Sequence, residues 1–185
     1  MNGSLAGKLL IALPAIKDPF FERAVILLCS HSEEHAMGII INHEMTDITN
    51  EELFDQLGMD NSPANTLPVL QGGPVCLERG FVLHSDDYDA PGVTVPITDG
   101  VCLTATEDVL IALASQTPPE KAVLALGYAG WGEGQLEEEI TENVWLVAEA
   151  SPALIYDKDY KTKWNRALAS LGVSPDKLHS IGGRA

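Results

Sequence analysis

The chain has 185 residues, 45% of them apolar, and sets 11 Lys and Arg against 27 Asp and Glu for a net charge of −16. That composition suits a single globular domain, expected over residues 1–185, with enough chain to bury a sizeable core. So acidic a surface repels phosphate backbones and argues against direct, specific DNA binding, and no apolar run nears the ~18 residues that a membrane helix needs.

The first apolar stretch, KLLIALPAI, is short, broken by Pro14 and followed by Lys17 and Asp18. It reads as a first core strand rather than a signal peptide. AVILLCSH (24–31) and AMGIIINH (36–43) flank a polar SEEH turn and read as a hairpin. Their near-continuous hydrophobicity predicts burial on both faces. Thr49 opens TNEELFDQLG, where Glu52 completes a capping box and Gly58 is the stop, so a short helix is predicted there.

LPVLQGGPV and RGFVLHS are strand-like runs around a turn region. TVPIT and VCLTAT flank Asp99-Gly100, a two-residue hairpin signal, and Pro96 places the first of them at a sheet edge or bulge. EDVLIALASQ follows Thr106 as a helix with Glu107 and Asp108 near its positive end. AVLALGYA (122–129) is another strand, and NVWLVAEA returns as a strand after an acidic helix. Tyr160, Trp164, Leu168 and Leu171 fall at helical spacing in the last helix. Strand-rich order with short interspersed helices predicts α+β with a mixed, largely antiparallel sheet curled towards a barrel.

Between the 122–129 strand and the acidic helix lies GYAGWGEGQLEEE. Free N–H groups at such a junction bind phosphate in nucleotide enzymes. Here no G-x-G-x-x-G is in phase and no Lys-Ser/Thr follows. Glu133, Glu137, Glu138 and Glu139 crowd the helix end and repel an anion. The expectation is a tight strand-to-helix turn, with positive φ at Gly132 and Trp131 covering the core edge, and a small-ligand site as the alternative.

At this loop the chain becomes recognisable. GYAGWGEGQLEEEITENVWL, with GKLLIALPAIKDPFFERAV, HAMGIIIN and QGGPVCLERGFVLH in order, resembles the YqgE/AlgH family of bacterial proteins over nearly its whole length. The resemblance implies a bifurcated sheet rolled into a pseudo-barrel with helices around it. It implies no agreed activity; the family carries a transcriptional-regulator label.

Cys29, Cys76 and Cys102 are odd in number, form no C-x-x-C pair and lie in apolar runs, which predicts buried, reduced thiols and a cytoplasmic chain. His31, His35 and His43, with Glu33, Glu34 and Glu44 nearby, suggest a metal, but His43 lies at the far end of the partner strand, so no shared ion is expected and solvated histidines are. Ser85, Asp86, Asp87 and Asp89 form an acidic loop without the Gly and distal Glu of a calcium loop.

No nucleophile elbow or catalytic triad stands out, and no cofactor is implied. Candidate cleft residues are Arg23, Asn42, Arg79, His84, Trp131, Gln135 and Glu139, all within the family-like motifs; no catalytic role is assigned to any of them. Glu139 could instead pair structurally with Arg23 or Arg79.

The leading reading is a non-catalytic cytosolic protein acting through a protein partner or small ligand. One alternative is an enzyme with a cleft near the GGPV and GYAGWG turns. Another is an indirect DNA-associated regulator using the C-terminal helix, since residues 158–185 hold six basic and two acidic side chains for +4, leaving −20 on residues 1–157.

Overall fold

A computed structural model describes residues 3–48, 51–52, 55 and 68–179. Among the described residues, nine strands run in the order β6-β7-β5-β8-β3-β2-β1-β9, with β4 paired to β8 off this path. They are β1 (Lys8–Ala12), β2 (Val25–His31), β3 (Ala36–Ile40), β4 (Val69–Gln71), β5 (Val75–His84), β6 (Val95–Thr98), β7 (Val101–Thr104), β8 (Ala122–Trp131) and β9 (Trp145–Glu149). The helices are α1 (Glu107–Ala114), α2 (Gln135–Thr141), α3 (Pro152–Ile155), α4 (Tyr160–Ser170) and α5 (Pro175–His179). Of the helix predicted from Thr49 to Gly58, Glu51, Glu52 and Asp55 are helical and the remainder lies outside the described residues. The architecture is α+β, an open, largely antiparallel sheet curled into a half-barrel with short helices. No helix among the described residues is long and apolar enough to cross a membrane.

Side-chain alternation builds the core on both faces of the sheet. Leu9, Ile11, Val25, Leu27 and Ile39 face one cluster with Trp164 and Leu168 of α4. Leu10, Ile26, Leu28 and Ile40 face the other with Trp131, Leu136 and Trp145. The double burial expected of the first hairpin follows from this. β6 pairs β7 antiparallel around Asp99-Gly100, and Pro96 sits both on the edge strand and beside a register shift. An edge position leaves proline no ladder bond to lose.

The sheet forks at β8. β3 pairs antiparallel with residues 129–131 of β8, whereas β4 pairs parallel with residues 124–126. Two glycine motifs close the fork. A Cβ on Gly73 would sit 2.1 Å from the Tyr128 carbonyl carbon, and one on Gly127 would sit 2.4 Å from Gly73 O. Backbone lies directly on backbone there, which only glycine permits.

Opposite Gly127, β5 slips register between Val75 and Gly80, and Cys76, Leu77, Glu78 and Arg79 are pushed outward. This corrects the expectation for the thiols. Cys29 and Cys102 are buried, but Cys76 is exposed with a left-handed φ of 49°. Its apolar neighbours predicted burial; the bulge removes it from the ladder. Leu171, read on the apolar stripe of the last helix, is 40% exposed because it caps α4 beyond the last packed turn.

Candidate functional site

The glycine-rich loop turns by its own hydrogen bonds. Gly134, not Gly132, takes the left-handed φ, at 68°, and it caps α2. A side chain at Gly132 would meet nothing within 4 Å. The Gln135 side chain folds back to accept the Gly132 N–H at 3.1 Å. Beyond it, one carboxylate gathers three donors: Glu139 accepts from Trp131 Nε1 (2.9 Å), Trp145 Nε1 (2.7 Å) and Gln135 Nε2 (2.9 Å). The indoles stand edge to face with centroids 6.0 Å apart. Glu139 therefore pairs with neither Arg23 nor Arg79. Its nearest donors are indoles placed eight residues before and six residues after it, so the local turn fixes the partner before any distant cation can.

A second acid of α2, Glu137, is also engaged. Leu5 N donates to His31 Nδ1 at 3.0 Å, so His31 Nε2–H donates to Glu137 Oε1 at 2.7 Å. Glu137's own backbone N–H, then His31, hold its carboxyl below the usual range. His31 is thus anchored rather than solvated. His35 bonds Ser32 across the hairpin turn, and His43 lies in a different region. In the acidic loop, Asp87 accepts from Ser85 Oγ and from Glu120 N.

The candidate cleft residues separate into distinct places. Trp131, Gln135 and Glu139 line a depression of about 350 Å³ with Phe21 and Trp145. Arg79 lies over the Phe81 ring at 5.3 Å and shares an apolar depression of about 570 Å³ with Trp131. His84 is fully buried, its Nδ1–H donating to Ser85 O (2.9 Å) and its Nε2 meeting the Thr104 hydroxyl (2.8 Å). Arg23 and Asn42 meet at another cleft, of about 580 Å³, with residues outside the candidate cleft set.

That cleft forms where β2 begins and β3 ends. Asn42 clamps the two: its Oδ1 accepts from Val25 N (2.7 Å) and its Nδ2 donates to Arg23 O (2.8 Å). Between these bonds Arg23 is held at φ 53°, a left-handed conformation costing a side-chain-bearing residue roughly 1–2 kcal/mol. Its guanidinium lies 5.5 Å from the Trp164 ring centroid. Trp164 is itself fixed by a 2.8 Å bond from Nε1 to Ala12 O. The ion pairs among the described residues are Lys8–Glu149, His31–Glu137 and Arg166–Asp157, so Arg23 faces the cleft without a carboxylate of the described residues on it.

Below the cleft, Lys163 is wholly buried and donates to Ile41 O (3.1 Å) and Ile155 O (3.0 Å), with its ammonium 4.9 Å from the Tyr160 ring. Burial pushes its pKa down to about 8. Ile41 precedes Asn42, so Lys163 ties the clamp to α4. Desolvation lowers His43 below its ordinary value against the pull of the Glu22 and Phe20 carbonyls. Burial raises Tyr160 to about 12, with the Glu44 charge adding to it.

Sequence reasoning passed over Glu22 and Gln71, weighed His43 and Glu44 only as metal ligands, and read Tyr160 and Trp164 only as an apolar stripe, so it placed none of them in this cleft. A signal was available for one of its supports. Lys163 stands three residues after Tyr160, on the same apolar stripe as Trp164, where a charged residue is out of place unless partnered.

A family model described as DUF179, AlgH-like, matches residues 9–176. A UPF0301 protein of Caulobacter vibrioides is 51% identical over 98% of this chain and 94% of its own length. The solution structure of the AlgH protein from Pseudomonas aeruginosa covers all of this chain and 96% of that one, at 35% identity and a TM-score of 0.79. A crystal structure of a Corynebacterium diphtheriae protein has the same fold, with a TM-score of 0.71 at 21% identity over 90% of this chain and 87% of that one.

Proposed function

The chain belongs to the AlgH-like family, and from the cleft geometry we propose that it is a binding protein without a catalytic step of its own, holding a small ligand by an anionic group on Arg23. One observation carries this reading. In a chain of net charge −16, the Arg23 guanidinium is kept on a locked indole, at a strained backbone position, with no carboxylate of the described residues on it. Strain persists where surrounding structure enforces it, and it concentrates at binding sites. Stacking leaves the edge of a guanidinium free to meet a carboxylate with two parallel hydrogen bonds.

The enzyme alternative near the GGPV and GYAGWG turns has less support. Glu139 there is filled by three donors, and Gly73 and Gly127 leave no space between their backbones. The DNA-associated alternative loses much of its charge, because Lys163 is buried and Arg166 pairs with Asp157 at 2.9 Å. A protein partner draws no comparable observation: the exposed Leu77, Val95 and Ile111 stand on three different elements. A reducing, cytoplasmic setting forms part of the same proposal, motivated by the three free thiols.

Amide-resolved NMR titration with sodium acetate at constant ionic strength tests the reading. Shifts are expected to cluster at residues 22–25, 42–44 and 160–165 and to vanish in Arg23→Ala. Shifts scattered over the surface, or undiminished in Arg23→Ala, would overturn it.

A further inference from the structure

We infer that the cleft is built for a zwitterion of the amino-acid class, with its carboxylate on Arg23 and its ammonium towards Glu44. The inference rests on the binding reading above and adds the identity of the ligand's second charged group.

The charges around the cleft carry the argument. Arg23 and Lys161 line it together with Glu22 and Glu44, so its walls are balanced. Balance is unusual on a chain with 27 acids and 11 Lys and Arg. Neither Arg23 nor Lys161 is in an ion pair with a described carboxylate, and neither acid is paired with a described cation. Four charges of both signs thus face one open space without cancelling each other by contact. A ligand carrying both signs can meet both.

A dianion fits worse. Phosphate would gain from Arg23 and Lys161, but its second charge would lie against Glu22 and Glu44, and such like-charge placement discriminates strongly between ligands. His43 offers no further cation to offset them, since burial favours its uncharged ring. A lone carboxylate satisfies the guanidinium and leaves the acids unused.

Polar positions suit the same ligand. The side-chain amides of Gln71 and Asn165 line the cleft and make no hydrogen bond to a described residue. They can bond the ligand directly or through water. Asn42 cannot, since both ends of its amide already hold the backbone of β2.

The position of the acids sets the expected polarity. Glu44 lies just beyond the Asn42 clamp, where its backbone bridges to Leu70, and its charge is felt by the Tyr160 ring of α4. Arg23 lies over Trp164, one turn along α4 from Tyr160. The carboxylate and ammonium of one small molecule can therefore meet the two charges along the same stretch of the cleft.

The test uses the full chain and the twenty common L-amino acids singly, each with its N-acetyl and carboxamide forms, beside acetate and inorganic phosphate at matched ionic strength. Binding is read from cleft amide shifts and calorimetry. At least one amino acid should bind, with both blocked forms roughly tenfold weaker or more, the change expected from losing one charged hydrogen bond. Glu44→Gln should weaken that amino acid by roughly tenfold while leaving its N-acetyl form unchanged, with an unaltered melting curve as the control for folding. An N-acetyl form, acetate or phosphate that binds as tightly as any amino acid would overturn the zwitterion and leave the anion-binding reading standing. Cleft amides that respond to none of these probes, or that respond equally in Arg23→Ala, would overturn both.

Discussion

The Glu139 turn and the Arg23 cleft are both polar, both lined by tryptophan, and both drawn from family-like motifs. They differ in what their polar groups have left to offer. Glu139 is filled by two indole N–H groups and one amide, all from its own stretch of chain. Arg23 is fixed by its backbone and its stacking, and its donors remain open to the cleft. A motif rich in polar residues is therefore not by that fact a site. The question that separates the two is whether the donors and acceptors are already paired.

The largest effect is expected on the closed side of the molecule. Gly73→Ala places a Cβ 2.1 Å from backbone of β8, which cannot move without opening the fork. Loss of stability of about 4 kcal/mol or more is expected in denaturant unfolding. A near-parental midpoint would show that the two glycine motifs do not interlock.

Glu139→Ala should come next, at about 3 kcal/mol, because it orphans two part-buried indole donors at once. Acetate titration of the same variant should still shift the cleft amides around Arg23. Loss of that binding together with stability would erase the distinction between the two regions.

Lys163 tests the underside of the cleft through pH. Its pKa is about 8 in the fold against 10.5 as the ordinary value, so between those limits the unfolded chain binds more protons. Stability contributed by this group must then rise with pH across that window. Tyr160 and Cys29, both raised to about 12, act in the opposite sense at the alkaline end. Comparison with Lys163→Met removes their share. The parent should gain on that variant from pH 8 to pH 10.5, by up to on the order of 3 kcal/mol. A difference that stays flat would mean that Lys163 is not held in a dry position.

Arg23 separates strain from function. Arg23→Gly and Arg23→Ala both remove the stacking on Trp164, but only glycine accepts φ 53° freely. The glycine variant should be the more stable of the two by about 1 kcal/mol, and neither should bind acetate. Equal stabilities would remove the argument from strain.

The smallest effect is expected in the turn. Gly132→Val should alter stability by less than about 0.5 kcal/mol, since the position is open and its φ is not left-handed. The same substitution at Gly134, with φ 68°, should cost about 1–2 kcal/mol. Equal costs would contradict the assignment of the turn to Gly134.

The sequence by itself determined what is set by near neighbours. Alternating and continuous apolar runs specified β2 and β3, Asp99-Gly100 specified the β6–β7 hairpin, and Pro96 marked an edge, because side-chain period and turn chemistry act within a few residues. The same locality made Asn42 visible as a polar residue at a strand end, whereas Arg23 was named only through the family-like motif that holds it. It could not show that Asn42 grips Arg23 across 19 positions, nor that Lys163 reaches Ile41 across 122. It assigned the positive φ to the wrong glycine, because three glycines in one turn have equal freedom and only the capping of α2 selects among them. It buried Cys76, because pattern cannot see that β8 lacks room opposite Gly127 for every residue of β5. Tertiary structure decided these points, since each depends on which distant backbone arrives beside a given side chain and whether that side chain's hydrogen bonds are then filled.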